Sequence, residues 1–273
     1  MKTWAVIVGG CLAVFTGSAR AAEGETVVLL HGLGRTQVSM ARLASALRSD
    51  GYRVVNLSYP SRVRTIESIA RDWLPQRLRE AGTDAATRVH FVTHSMGGIV
   101  LRVWLRDVPP PRNLGRVVML APPNAGSEIT DRLNGFAPFR WFTGRNGRRL
   151  GTAGPEALPR TLGPWPSFSG APPGTAELGI IAGDRSLNPL FSRWLPGAGD
   201  GKVTVAATHL DGERDHVVLH RSHTWIAWSR ETIGQVKAFL RDGHFVRAAG
   251  GRAPQAVTRR ATRGRRGPRC RAP

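Results

Sequence analysis

Val89-His90-Phe91-Val92-Thr93-His94-Ser95-Met96-Gly97-Gly98-Ile99-Val100-Leu101 is the stretch on which the reading of this chain turns. Residues 89–92, apolar but for His90, are strand-like. A polar, glycine-containing turn follows, and the apolar pattern resumes at Ile99, Val100, Leu101, Val103, Trp104 and Leu105 as a helix that Pro109-Pro110-Pro111 must stop. Strand, sharp turn and helix make a nucleophile elbow, with Ser95 at the apex so that its hydroxyl projects from the sheet edge on a strained turn. Small residues are needed on either side, because strand and helix cross closely there. Gly97 fills the position two after the serine, while the position two before is Thr93 instead of glycine. A strand-to-helix turn with an incidental serine is the plain alternative.

Outward from the elbow, continuous apolar runs alternate with helical periods. Val27-Val28-Leu29-Leu30 reads as a strand buried on both faces and runs into His31-Gly32-Leu33-Gly34. Met40, Leu43, Ala44 and Leu47 fall at helical spacing, with Gly51 placed to stop the helix. Val54-Val55-Asn56-Leu57 is the next strand, and Ile66, Ile69, Ala70, Trp73 and Leu78 mark a helix kinked or shortened at Pro75. Strands follow at Val117-Val118-Met119-Leu120, at Leu178-Gly179-Ile180-Ile181-Ala182, in the alternating Val203-Thr204-Val205, and last at Val217-Val218-Leu219. A closing helix carries Ile226, Ile233, Val236, Phe239 and Leu240. The expected fold is α/β, a mostly parallel sheet with helices on both faces and its chemistry at the carboxyl ends of the strands.

Residues 122–176 break the pattern. They are rich in glycine, proline and arginine and hold Phe136, Phe139, Trp141, Phe142, Trp165 and Phe168, which suits a cap or lid insertion over the serine with an apolar ligand surface. A disordered insert would carry fewer aromatics.

The ends of the chain differ from its middle. Residues 1–22 read as a signal peptide: Lys2, an apolar run over residues 4–15, then Gly17-Ser18-Ala19-Arg20-Ala21, with cleavage after Ala19 or Ala21. The run continues past Cys11, which argues against lipoprotein processing at Val8-Gly9-Gly10-Cys11, and it is too short to span a bilayer. An exported, soluble protein is expected, periplasmic or secreted. Loss of the leader leaves only Cys270, so an intramolecular disulfide is excluded and the fold must rest on its core. The folded domain is assigned to residues 23–247, enough for one well-buried unit.

The formal net charge is +20, from 39 Lys and Arg against 19 Asp and Glu. Nine arginines and no acid lie in residues 244–273, and about +9 remains on the folded part. Residues 248–273 read as a disordered cationic tail able to hold anionic surfaces without specificity, or as a solvated extension with no partner. Without interleaved aromatics or a nucleic-acid module, specific nucleic-acid reading is not expected.

A serine hydroxyl is a weak nucleophile at neutral pH and needs a base, itself oriented by a carboxylate; with an elbow the chain order is serine, acid, histidine. His223 follows the last strand and is the best placed of the eight histidines. His216, at the far end of that strand, and His220, inside it, read as structural. Asp200, in a tight Gly-Asp-Gly loop, is favoured as the acid over Asp184, which directly follows a strand; Asp211 and Asp215 are weaker candidates. Backbone amides make an oxyanion hole, and Met96, after the nucleophile, and Leu33, in the turn after the first strand, are the candidates. His31 reads as shaping that turn. A metal shared by His216, His220 and His223 is disfavoured, since positions 216 and 220 on a strand are about 13 Å apart.

With these motifs in order, the chain resembles the α/β-hydrolase superfamily, in particular its bacterial lipase-like and esterase-like members. The resemblance rests on His31-Gly32-Leu33-Gly34 and on Thr93-His94-Ser95-Met96-Gly97-Gly98. It rests also on Ala121-Pro122-Pro123-Asn124, Asp200-Gly201-Lys202-Val203 and Ser222-His223-Thr224, and covers roughly residues 26–245. It implies Ser95, Asp200 and His223 as nucleophile, acid and base, which strengthens Asp200 over Asp184. It also implies hydrolysis of a small-molecule or lipid ester through an acyl-enzyme, with no cofactor; a monomer is expected. The other readings are a catalytically inactive module of this fold, or a protein whose working part is the basic tail holding anionic envelope material.

Overall fold

Burial on both faces is what a continuous apolar run requires, and one six-stranded sheet provides it for its central strands. The computed structural model describes residues 24–154, 156–167 and 174–247; the leader, Phe168 and the arginine tail lie outside the described residues. The strands are β1 (Glu25–Leu30), β2 (Arg53–Leu57), β3 (Arg88–His94), β4 (Leu114–Leu120), β5 (Leu178–Gly183) and β6 (Asp215–Leu219). They lie in the order β2-β1-β3-β4-β5-β6 with every pairing parallel.

Alternate residues of each strand point to opposite faces and supply two cores. Val28, Leu30, Phe91, Val117, Met119 and Ile180 face one side. Val27, Leu29, Val92, Val118, Leu120 and Ile181 face the other. The helices are α1 (Ala41–Ser49), α2 (Ile66–Ser68), α3 (Leu74–Glu80), α4 (Met96–Asp107), α5 (Glu128–Leu133), α6 (Ala137–Thr143), α7 (Pro189–Trp194), α8 (Val205–Thr208) and α9 (Arg230–Asp242). Side chains of α2, α3 and α4 fill the first core, and those of α1 and α9 the second.

The helix expected to be kinked or shortened at Pro75 carries a π turn over Ile69–Trp73 that joins α2 to α3, opening the backbone just where the proline lacks a donor and its ring crowds the preceding turn. Two local expectations change. Val203-Thr204-Val205 is not a strand. Thr204 caps α8, its hydroxyl accepting from the Ala207 amide at 3.2 Å, and only a single bridge joins Gly199 to Thr204. His220 lies just past β6 instead of inside it.

The insertion after β4 forms short helices pinned by buried polar side chains. Asn146 donates to the carbonyls of Ser61 and Arg64, both at 2.7 Å, and accepts from the Ile66 amide. Arg102, buried on α4, donates to Asn124 and, at 2.7 Å, to the Gly163 carbonyl; burial lowers its guanidinium to about 10. The aromatics divide. Trp165 is buried in the first core, Phe139 and Phe142 line the cleft at Ser95, and Phe136 and Trp141 are exposed. Of the five described rings, Phe139 and Phe142 line the cleft as expected, and the other three do not.

Candidate active site

The carboxyl ends of β1, β3, β4, β5 and β6 are in register, and the loops that leave them meet. Ser95 stands between β3 and α4 at φ 53° and ψ −122°, a conformation that is strained for a residue with a side chain. Its amide donates to the Leu120 carbonyl at 2.9 Å, and its carbonyl accepts from the Gly98 amide at 2.9 Å. The glycines have distinct reasons. A Cβ on Gly97 would sit 2.6 Å from the Leu30 carbonyl oxygen and 2.9 Å from that of His31, so the close crossing is with the end of β1. A Cβ on Gly98 would lie 3.2 Å from Met119 Sδ and 3.3 Å from both Pro122 Cβ and Thr93 Oγ1, so this second glycine makes room for all three side chains, the threonine two before the serine among them.

His223 and Asp200 complete a hydrogen-bonded line. His223 Nε2 lies 3.0 Å from Ser95 Oγ, and Nδ1 lies 2.6 Å from Asp200 Oδ2. A carboxylate can only accept, so Nδ1 carries the proton and donates, leaving Nε2 to accept from the serine hydroxyl. Asp200 is fixed from both sides. Its Oδ1 accepts from the amides of Lys202 and Val203, each at 2.9 Å, and its carbonyl accepts from the His223 amide at 3.1 Å. Gly183 ends β5 without a side chain, and a Cβ there would be 2.9 Å from that of Asp200. The carboxylate and the imidazole are 1% and 7% exposed, so little water competes for their bond.

The other candidates lie elsewhere. Asp184 Oδ1 is 2.9 Å from Nδ1 of His220, an exposed pair turned away from His223. Asp215 accepts from the Phe245 amide at 2.7 Å and pairs with Arg247, and the Asp211 carbonyl accepts from the Trp165 amide. His216 bonds Thr208 Oγ1 at 2.9 Å and stacks on His209. His31 accepts at Nε2 from the Tyr59 amide and lies flat on the Tyr59 ring, 4.1 Å between centroids, which holds the turn after β1. Among the described residues no group of three His, Cys, Asp or Glu side chains can hold a metal ion, and no helix is long and apolar enough to cross a membrane.

A cleft opens over Ser95, lined among others by Gly32, Leu33, Phe139, Phe142, Leu150 and Val203. Met96 is the first residue of α4, so its amide has no acceptor within the helix and the dipole's positive end faces the serine. Three lining residues had no role assigned from the sequence. His94 Nε2 lies 3.0 Å from the His223 carbonyl oxygen, and Arg35 and Lys202 reach the cleft from distant loops. His94's place beside Ser95 was the only signal available for it.

Comparison with known proteins agrees with this architecture. Among solved structures, the mature form of the Bacillus licheniformis lipase BlEst2 superposes with a TM-score of 0.62 at 18% identity, covering 81% of this chain and 93% of that one. The Pyrococcus furiosus esterase Pf2001 gives 0.51 at 16% identity, with 80% and 83% covered. Phospholipase PlaB from Legionella pneumophila gives 0.54 at 19% identity, with 68% of this chain but 45% of that one covered. At these identities the likeness is one of fold. None of the curated proteins matches the sequence. A sequence model described as the alpha/beta hydrolase family matches residues 27–260. With six parallel strands, a strained serine between β3 and α4 and a match across most of its length, the chain belongs to the alpha/beta hydrolase family.

Proposed function

We propose that this protein is an exported serine hydrolase that cleaves carboxylic esters through an acyl-enzyme, with Ser95, His223 and Asp200 as its catalytic triad. The observation that carries the reading is the unbroken line from Asp200 Oδ2 through both His223 nitrogens to Ser95 Oγ at 2.6 and 3.0 Å. Export rests on the leader-like composition of residues 1–22.

In this mechanism Ser95 Oγ attacks the ester carbonyl carbon while its proton passes to His223 Nε2, and Asp200 stabilises the imidazolium that forms. The carbonyl oxygen becomes an oxyanion held by the amides of Met96 and Leu33. As the tetrahedral intermediate collapses, the acyl C–O bond breaks and the alcohol leaves with the proton from Nε2. Water then attacks the acyl-serine, giving one proton to His223 and its hydroxyl to the acyl carbon, and the acid departs as the proton returns to Ser95. Asp200's two backbone donors keep the carboxylate oriented throughout.

The test compares wild type with Ser95→Ala on 4-nitrophenyl butanoate and octanoate, with fluorophosphonate labelling alongside. Wild type hydrolyses at least one ester and is labelled, while Ser95→Ala loses labelling and about 10³-fold or more of kcat. Equal activity in the variant overturns the mechanism. Absence of both activity and labelling in wild type supports the inactive binding module instead.

A further inference from the structure

Arg35 and Lys202 are the two charged side chains, apart from the imidazoles, that line the cleft over Ser95, and no carboxylate lines it with them. They arrive from opposite parts of the chain, Arg35 just after the Gly32-Leu33-Gly34 turn and Lys202 two residues after Asp200. Their backbones are tied to the groups that frame the site. The Arg35 amide donates to the Gly32 carbonyl at 3.2 Å. The Lys202 amide donates to Asp200 Oδ1 at 2.9 Å, and its carbonyl accepts from the Ser127 hydroxyl at 2.7 Å.

Neither cationic side chain has a hydrogen-bond or ion-pair partner among the described residues. The chain has 39 basic residues against 19 acidic ones, so place in the cleft is what separates these two. Both residues keep surface open to solvent at the mouth of the cleft, within reach of an entering ligand. Their fields overlap inside it. Crowding by cleft atoms, and then the Arg35 cation, hold the Lys202 ammonium below its ordinary value against the opposing pull of Asp200. His94, beside Ser95, is kept neutral first by burial and then by His223, with Lys202 and Arg35 adding to the effect. A cleft lined by one sign of charge concentrates its field and draws the opposite charge. A guanidinium fork and an ammonium lining one cleft suit the oxygens of a phosphate, and the apolar lining from Leu33, Phe139 and Phe142 suits an acyl chain.

We infer that Arg35 and Lys202 form a subsite for a phosphate group on the ester, so that the preferred substrates are acyl esters of phosphorylated alcohols. This rests on the hydrolase reading above and specifies its substrate class. The bond broken remains the acyl C–O bond, water supplies the hydroxyl of the released acid, and the phosphate leaves intact on the alcohol.

The experiment pairs 1-butanoylglycerol with 1-butanoylglycerol 3-phosphate, both kept below aggregation, on wild type, Arg35→Ala/Lys202→Ala and Arg35→Glu/Lys202→Glu. Thermal melts check that the variants fold. Wild type favours the phosphorylated ester in kcat/KM by about tenfold or more, as expected for charge-assisted bonds at a solvent-open site. Added salt shrinks that ratio. The ratio falls toward one in the alanine pair and inverts in the glutamate pair. A wild-type ratio at or below one, or a ratio unmoved by the alanine pair, overturns the subsite. If neither ester is turned over, the hydrolase reading fails and calorimetric binding decides the subsite separately. Binding of glycerol 3-phosphate but not glycerol, lost in the alanine pair, supports it; no binding of glycerol 3-phosphate by wild type overturns it.

Discussion

The Nε2 of His94 lies 3.0 Å from the backbone carbonyl oxygen of His223, and the two imidazole rings are 4.9 Å apart. A carbonyl can only accept, so Nε2 carries a proton and donates. Burial above all keeps His94 uncharged, with His223, Lys202 and Arg35 adding to the effect. The residue before the serine therefore holds the backbone of the histidine that faces it. His94→Phe retains a ring but loses the donor. It is expected to lower kcat about ten- to hundredfold through misplacement of His223, with KM changed far less. A variant with wild-type kcat would show that the bond positions nothing.

Asp200 and Asp184 are separated by substitution. Asp200→Asn offers an amide donor where the imidazole needs an acceptor, which favours the wrong tautomer, and kcat should drop by about 10⁴. Asp184→Asn disturbs only the exposed pair with His220 and should leave kcat within about twofold, as surface changes generally do. Steady-state rates on one ester decide it, and the reverse ranking would move the acid to Asp184.

Gly97 and Gly234 give opposite responses to alanine. At Gly97 the new methyl would press on the Leu30 and His31 carbonyls, both backbone, so strain of about 1–3 kcal/mol is expected, read as a fall in denaturation midpoint. At Gly234, an exposed position inside α9, a Cβ meets nothing within 4 Å, and alanine should stabilise by about 0.5–1 kcal/mol. Equal effects at the two sites would contradict the packing described for the elbow.

His216 should make the fold sensitive to acid. Its Nε2 proton is committed to Thr208 Oγ1, whose own hydrogen goes to the Val205 carbonyl, and the ring stacks on His209 at 3.9 Å. Burial, and then the His209 cation, lower it to about 4. The unfolded chain takes up that proton near pH 6.5 and the folded chain only near pH 4. Between these values the unfolded state binds more protons, and stability falls as pH falls. The His216 contribution lost between pH 7 and 4.5 is about 2–3 kcal/mol. His209 acts in the opposite sense, since its hydrogen bond to Glu213 raises it, but it is half-exposed and its share is smaller. Thermal melts across this range should show a drop for wild type that exceeds that of His216→Gln by about 5 °C. Parallel curves for the two proteins would remove His216 as the cause.

Much of this molecule is legible in its residue order because the signals are local. A strand buried on both faces must be apolar at consecutive positions, and β1, β3, β4 and β5 are. A tight strand-to-helix crossing must have glycine where the neighbouring backbone passes, and Gly97 is there. Residue order also picked out Ser95 and His223 as partners across the chain, and their side chains meet. What residue order left open are questions of direction. Asp184 and Asp200 both lie on loops near the carboxyl edge of the sheet, and only the path of the chain turns one toward His220 and seats the other beneath His223, in the space Gly183 leaves empty. The valines flanking Thr204 alternate like a strand, yet a side-chain cap to the Ala207 amide starts a helix there instead. The gathering of Arg35 and Lys202 along one cleft, and the grip of His94 on His223, have no periodicity to betray them. They arise when distant loops leave neighbouring strand ends, and that adjacency exists only once the sheet has formed.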